Sequence, residues 1–411
     1  MKKRIVSLLL ALLLLAGALP VYAFNFRFPF GLSSGETVTI SKEEYDRLKQ
    51  YEKLDEVKMA LEELYYQDVD DKALMDGAIQ GLMAGTGDMY TFYYPEESWE
   101  RMWADDEGKY AGIGIQMLGD PDTGLVTVTR VFKNTPAEAA GIRKGDIIYK
   151  VEDLAVTMTT MQDAVSTMRG VPGETVHVEM MRGEEILPFE ITKAEIIVNR
   201  VESMMLDNNI GYIAHYEFAG GSYEGFKAAF DQLESEGMKA LIIDLRDNGG
   251  GWVDDGIKLA DLFLDKELFF YTESREGRKD TYLSEGKSDI PLVLLVNESS
   301  ASTSEIVSGA LKDYGRATLI GTKTFGKGII QAVLPLSDNK SGYQLTTAQY
   351  FTPKGHQVHG EGITPDIAVE MPEEMDHSMM TLGDMSDPQL KAAWEEAQKL
   401  AVSAAPQAAR K

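Results

Sequence analysis

Cysteine is absent from the 411 residues, so no disulfide, thiolate nucleophile or cysteine-ligated metal carries the function. Histidine is scarce, with five in the chain, which leaves few imidazoles for acid–base work. Positive charge is in deficit: 40 basic residues stand against 66 acidic ones, a formal charge of −26. That balance excludes a nucleic-acid partner held through phosphate contacts and surface attachment to anionic lipid. What is present is ordinary for a globular protein. A hydrophobic share of 44% with 26% charged residues rules out wholesale disorder and a multi-span membrane protein. The length predicts two or three domains.

The first residues read as a targeting segment. Met1-Lys2-Lys3-Arg4 is basic, Ile5 to Leu19 is apolar, and Val21-Tyr22-Ala23 places small residues at −3 and −1 of a cleavage site. The run is shorter than the roughly 20 residues that span a bilayer. Residues 1–23 are therefore expected to be a signal peptide cut after Ala23, with a retained anchor as the alternative. The layout is that of a bacterial protein exported to the cell envelope or beyond.

Residues 24–105 read as helical. Ser41 with Glu44 makes a capping box, and Leu48, Tyr51, Leu54, Val57, Leu61 and Leu64 recur at three- and four-residue steps. A second helix is expected over Asp71–Ala84, then a turn-rich loop from Gly85 to Pro95. Residues 106–195 change to short strands and turns. Tyr110-Ala111-Gly112-Ile113-Gly114-Ile115 alternates apolar and small residues that leave backbone N–H groups uncovered, suited to a carboxylate. A capped short helix follows at Asn134–Ile142, then the turn Arg143-Lys144-Gly145-Asp146 into a strand. This pattern resembles a PDZ domain, a small β-barrel with helices. The resemblance implies that Tyr110, Gly112, Ile113, Gly114 and Ile115 receive a protein C-terminus as an added strand with its carboxylate in the glycine loop.

Residues 196–372 alternate helices with apolar strands, as in an α/β layer. The strand Leu241-Ile242-Ile243-Asp244-Leu245 leads into Arg246-Asp247-Asn248-Gly249-Gly250-Gly251, and Pro291–Val296 leads into Asn297–Glu305. Loops at the carboxyl ends of buried strands are where sites form. A serine hydroxyl needs a base to take its proton and backbone N–H groups aimed at the developing oxyanion. The serine-rich turn and the triple glycine suit those needs. None of His177, His215, His356, His359 and His377 lies in such a context, and a metal reading of His356 with His359 is opposed by the turn around Pro353 and Gly355. Lysine suits the base better, because burial lowers the affinity of an amine for its proton. Lys327, between two glycines, and Lys323 are both open on spacing alone.

Taken in order, the PDZ pattern, Arg246-x-Asn248-x-Gly250-Gly251, Ser300-Ala301-Ser302-x-Ser304-Glu305 and Thr324-Phe325-Gly326-Lys327-Gly328-x-x-Gln331 resemble the carboxyl-terminal processing peptidases, or tail-specific proteases. Asp88-Met89-Tyr90, Tyr350–Gly355 and Gly360–Asp366 extend the likeness over nearly everything after the signal. The resemblance implies an α+β multidomain chain: a PDZ domain, an α/β ClpP/crotonase-like serine protease core, and helical terminal regions. It implies Ser302 as nucleophile, Lys327 as general base, Gln331 as the residue orienting the lysine, and Gly250 with the amide of Thr303 as oxyanion donors, Gly249 and Gly251 being adjacent alternatives. Arg169 matches a PDZ arginine linking ligand binding to the core. Departures are His356 where the family has arginine, Gly249 where it has proline, and Thr303 where it has alanine.

Residues 373–411 begin acidic and methionine-rich, after which Asp387-Pro388 opens a helix with Leu390, Trp394, Ala397 and Ala401 on one face. That stripe is expected to pack on the N-terminal helices or on another subunit. The reading is an exported serine endopeptidase with no cofactor and no metal, acting on protein substrates with accessible C-terminal tails, close to a membrane and as a homodimer. The alternatives are an inactive tail-binding scaffold and an acyl-CoA enzyme of the crotonase type.

Overall fold

The computed structural model describes residues 39–404, except 121, 122, 285, 287, 373, 374, 376, 378 and 379. The expected signal peptide lies outside the described residues, as does the tail after Ala404. The chain divides into two units, Met1–Leu74 and Met75–Lys411.

The first unit holds α1 (Lys42–Lys49) and α2 (Glu52–Leu64). Its capping box is formed, with Glu44 N–H donating to Ser41 Oγ at 3.1 Å and Ser41 N–H donating to Glu44 Oε2 at 3.2 Å. The run read as one periodic stretch is broken at Gln50-Tyr51, where the helix ends and restarts. Helix α3 (Asp71–Ala84) matches the expected bounds.

In the second unit the loop after α3 carries a short strand, β1 (Phe92–Tyr94), and then α4 (Glu96–Glu107), which ends on Gly108 in the left-handed conformation. Strand β2 (Lys109–Gly112) follows. The next block comprises β3 (Ile115–Gly119), β4 (Val126–Val131), α5 (Pro136–Ala140), β5 (Ile147–Val151), β6 (Leu154–Ala155), α6 (Met161–Met168), β7 (Thr175–Arg182), β8 (Glu185–Thr192) and β9 (Ala194–Ile197). Strands β3-β4-β5-β7-β8 form one sheet with β6 on β5, and β2 pairs separately with β9. Val126, Val128, Ile148, Val176, Val178 and Met180 alternate with exposed or half-buried neighbours and fill this block's own core.

The remaining elements are β10 (Val201–Leu206), β11 (Ile210–His215), α7 (Ser222–Ser235), β12 (Ala240–Asp244), α8 (Val253–Asp261), β13 (Leu268–Ser274), β14 (Lys279–Leu283), β15 (Leu292–Val296), α9 (Thr303–Asp313), β16 (Ala317–Gly321), β17 (Ile329–Pro335), β18 (Gly342–Phe351), β19 (Ile367–Ala368) and α10 (Pro388–Ala404). Their main sheet runs β10-β11-β12-β15-β16-β19, parallel from β11 onward. Its strands read as continuous apolar runs because both faces are covered. Leu241, Ile243, Leu292 and Leu294 pack with α7, α8 and α9. Their alternates Ile242, Val293 and Leu295 pack with Leu390, Ala393 and Ala397 of α10. The apolar stripe of α10 thus lies on the main sheet, which corrects its expected place on the N-terminal helices or another subunit. Strand β1 pairs with β18, which also pairs with β13 and β17.

Candidate active site

The carboxyl ends of β11, β12, β15 and β16 gather four loops. Ser302 sits on the turn from β15 into α9 with φ 57° and ψ −117°, a left-handed backbone that costs about 1–3 kcal/mol for a non-glycine residue and persists only where surroundings impose it. Those surroundings are visible. Ala301 N–H donates to Asn248 O at 3.0 Å, Ser304 Oγ donates to the same oxygen at 2.9 Å, and Thr303 Oγ1 donates to Gly251 O at 2.8 Å. Ser300 Oγ reaches across to Leu245 O at 2.7 Å. The serines flanking Ser302 therefore tie its turn to the glycine loop.

Gly250 lies against this turn: a Cβ there would come within 2.8 Å of Ser302 Cβ and 2.9 Å of Thr303 N, and its φ is 97°. Thr303 opens α9, so its N–H has no intrahelical acceptor and points with the positive end of the helix dipole. The Gly250 N–H is already committed, donating to Asn248 Oδ1 at 2.9 Å. Asn248 is itself held, its Nδ2 donating to His215 O at 2.7 Å and facing His215 Nδ1 at 3.1 Å. His215 is fully buried, its Nε2 has no partner among the described residues, and burial pushes it down to about 3, so the ring is neutral.

Lys327 and Lys323, equivalent on spacing, separate here. Lys323 is exposed, whereas Lys327 is half-buried in a cavity of about 1120 Å³ that Ser302 also lines. Burial pushes the Lys327 amine below its ordinary value, opposed by Asp88 and Glu305. No hydrogen bond joins Lys327 Nζ to Ser302 Oγ among the described residues. Gln331 lines the same cavity, with its Nε2 donating to Thr346 Oγ1 at 3.2 Å.

Glu305 was missed as a functional residue. Its fully buried carboxylate accepts Thr324 Oγ1–H (2.6 Å) and Gly326 N–H (2.7 Å) on Oε1, and Lys327 N–H (2.8 Å) and Ser302 N–H (3.0 Å) on Oε2. Burial pushes the carboxyl up against these four donors, which favour the anion. The signal for it was the spacing Ser302-x-x-Glu305, a capping box at a helix start. The sequence motif contains Arg246 but gives it no role. It is buried and bonds both Asp244 (Nη2 to Oδ2, 2.6 Å) and Asp387 (Nη1 to Oδ2, 2.7 Å), with Gln389 Oε1 at 3.0 Å.

The cavity extends to the block of residues 109–197. Tyr110, Ile115 and Arg169 line it together with Ser302, Lys327 and Gly250, whereas Gly112, Ile113, Gly114 and Thr303 do not. Gly112 and Ile113 are buried near Gly114, whose carbonyl accepts Phe132 N–H at 3.0 Å. The Arg169 guanidinium lies 4.6 Å from the Tyr110 ring centroid and donates to Asp105 Oδ1 at 2.9 Å. Burial pushes the Tyr110 hydroxyl up to about 12, with Arg169 opposing. From α4 the contacts continue to the glycine loop: Trp103 stacks on Trp252 at 6.0 Å, and Trp252 Nε1–H donates to Asp106. His356 Nδ1 stands 3.2 Å from Asp313 Oδ1.

Comparison with known proteins agrees with this architecture. Family models match for peptidase family S41 at residues 209–369, the PDZ domain at 111–192, and the N-terminal domain of the activating protease CtpB at 16–98. The last begins inside the stretch read as a signal. The carboxyl-terminal-processing protease of Synechocystis is 34% identical over 303 residues, covering 72% of this chain and 71% of that one. The carboxy-terminal processing protease CtpA of Bacillus subtilis is 34% identical over 328 residues, covering 78% and 70%. Among solved structures, a photosystem II D1 C-terminal processing protease is 27% identical with a TM-score of 0.53, covering 85% of this chain and all of that one. A putative S41 protease from Bacteroides fragilis, 16% identical with a TM-score of 0.55, shares the fold.

Proposed function

Given that the chain belongs to the carboxyl-terminal processing proteases of peptidase family S41, we propose that this serine-type peptidase captures the C-terminal tail of a protein in its PDZ domain and cuts nearby with Ser302 and Lys327. The observation that carries the proposal is the shared cavity: Tyr110 and Arg169 line the same space as Ser302, Lys327 and Gln331. A tail added beside Tyr110, with Arg169 linking that site to the core, lies against the same space as the serine.

In the reaction Lys327, neutral, takes the Ser302 proton as Oγ attacks the scissile carbonyl. The Thr303 N–H at the start of α9 meets the oxyanion, with Gly250 as the second donor once its N–H leaves Asn248. The lysine gives the proton to the departing amine, then activates water to release the acyl-enzyme. Export across the cytoplasmic membrane and a homodimer using the exposed apolar residues Leu48, Tyr51 and Leu54 belong to the same proposal. No helix among the described residues is long and apolar enough to cross a membrane.

The test compares the mature protein with Ser302→Ala and Lys327→Ala on a tailed substrate carrying either a free or an amidated C-terminus. Loss of cleavage in both variants with retained folding, and weaker cleavage of the amidated substrate, are expected. Undiminished proteolysis by either variant refutes the dyad, and a bound tail left uncut by the wild-type protein points to the scaffold reading.

A further inference from the structure

The Lys327 ammonium makes no hydrogen bond and no ion pair among the described residues, yet it is not without a neighbour. It lies over the face of Tyr90, 4.6 Å from the ring centroid. Tyr90 is fixed relative to Lys327 through the strand pair that follows the lysine. Gln344 Nε2 donates to Tyr90 O at 3.1 Å and Thr346 N–H donates to Thr91 Oγ1 at 3.1 Å, both from β18, whose partner β17 begins at Ile329. Within the loop, Asp88 accepts Tyr90 N–H at 2.9 Å and Thr91 Oγ1–H at 2.7 Å. The ring is therefore part of a braced turn.

We propose that Tyr90 is a positioning residue of the peptidase, holding the Lys327 side chain on its ring face as an ammonium and so setting how readily the lysine becomes a base for Ser302. This rests on the assignment of Lys327 as general base. A ring quadrupole attracts the cation and has no comparable hold on the neutral amine, so the face opposes the burial that favours deprotonation. The other charges acting on Lys327 are Asp88, from the same loop, and Glu305, from α9. Both favour the ammonium. Burial works to raise the Asp88 carboxyl, but hydrogen bonds from Thr346, Thr91 and Tyr90 outweigh it and hold it low, with His359 adding in the same direction.

The experiment reads the lysine's charge separately from catalysis. Competitive acylation of Lys327 by a small amine reagent is measured across pH by mass spectrometry in the full mature protein, with Tyr90→Phe, Tyr90→Leu and a ring-fluorinated phenylalanine at position 90. The fluorinated ring keeps the shape and weakens the quadrupole, so it serves if the leucine variant does not fold. Tyr90→Phe is expected to keep the labelling midpoint. The leucine and fluorinated forms are expected to lower it by about one pH unit, a tenfold change in free amine at a given acid pH, and to move the acid limb of kcat/KM with it. An unchanged or raised midpoint in the fluorinated form, or an equal shift in Tyr90→Phe, overturns the proposal. If Lys327→Ala still cleaves, the general-base assignment fails, while the labelling midpoint reports on Tyr90 independently.

Discussion

Lys327 donates its backbone N–H to Glu305 Oε2 at 2.8 Å, and the same oxygen receives the N–H of Ser302 at 3.0 Å. One buried carboxylate thus sets the Ser302 turn and the Lys327 turn in a common frame. In Glu305→Gln the amide keeps one acceptor oxygen and turns an NH₂ toward two of the four donors, each lost bond to a charged acceptor being worth about 1.5–3 kcal/mol. Cleavage is expected to fall at least about a hundredfold, and the melting temperature by several degrees. Peptidase assays with thermal unfolding check this; activity within threefold of wild type contradicts it.

A second prediction concerns Arg246, whose guanidinium is buried between Asp244 and Asp387. Asp387 also accepts the N–H groups of Gln389 (2.9 Å) and Leu390 (3.1 Å) at the start of α10. Asp387→Ala leaves a buried cation short of a partner and a helix without its cap, an expected cost of about 3–5 kcal/mol. Asp387→Asn retains the cap and is expected to lose less. Denaturant unfolding decides it, and a loss under about 1 kcal/mol for the alanine variant speaks against the network.

These networks show where sequence reading stops. The strands Leu241–Leu245 and Leu292–Val296 were readable because burial on both faces writes an unbroken apolar run; the dense motif order pointed to the loops of Ser302 and Lys327, which line one cavity. Glu305's four donors come from positions 302, 324, 326 and 327, so no local pattern records their convergence. Arg246 meets Asp387 across 141 positions. The stripe on α10 was readable as a packing face, but a stripe states that a helix packs and not what it packs against. The break at Gln50-Tyr51 was hidden because the apolar steps continue through it.

His215 gives a prediction about pH. Its pKa is lowered to about 3 by burial, against about 6.5 in the unfolded chain. Below pH 6.5 the unfolded state takes a proton that the folded ring refuses, so stability present at neutral pH is lost as pH falls, by up to about 1.4 kcal/mol per unit until about pH 3. His215→Leu removes that slope, at the constant cost of the contact with Asn248 Nδ2. Unfolding free energies at pH 6 and 5, where few carboxylates titrate, are expected to differ less in the variant than in wild type. Equal slopes refute a neutral buried ring.

Lys327 carries a stability cost that its proposed chemistry explains. Burial lowers the amine's pKa, so the folded state binds its proton less well than the unfolded chain does. The cost is fully present at pH values below the lowered folded pKa, and it is relieved as pH rises from there toward the ordinary value of about 10.4. Lys327→Met keeps an unbranched apolar stem and removes the charge. It also gives up the attraction to Tyr90, which the thioether replaces in part through a sulfur–aromatic contact. The expected variant is inactive, melts about 1–3 °C higher at pH 7, and loses that advantage as the pH is raised toward 10. A variant less stable than wild type at neutral pH means that the ring and the carboxylates of Asp88 and Glu305 outweigh burial, and that the lysine rests as a well-held ammonium.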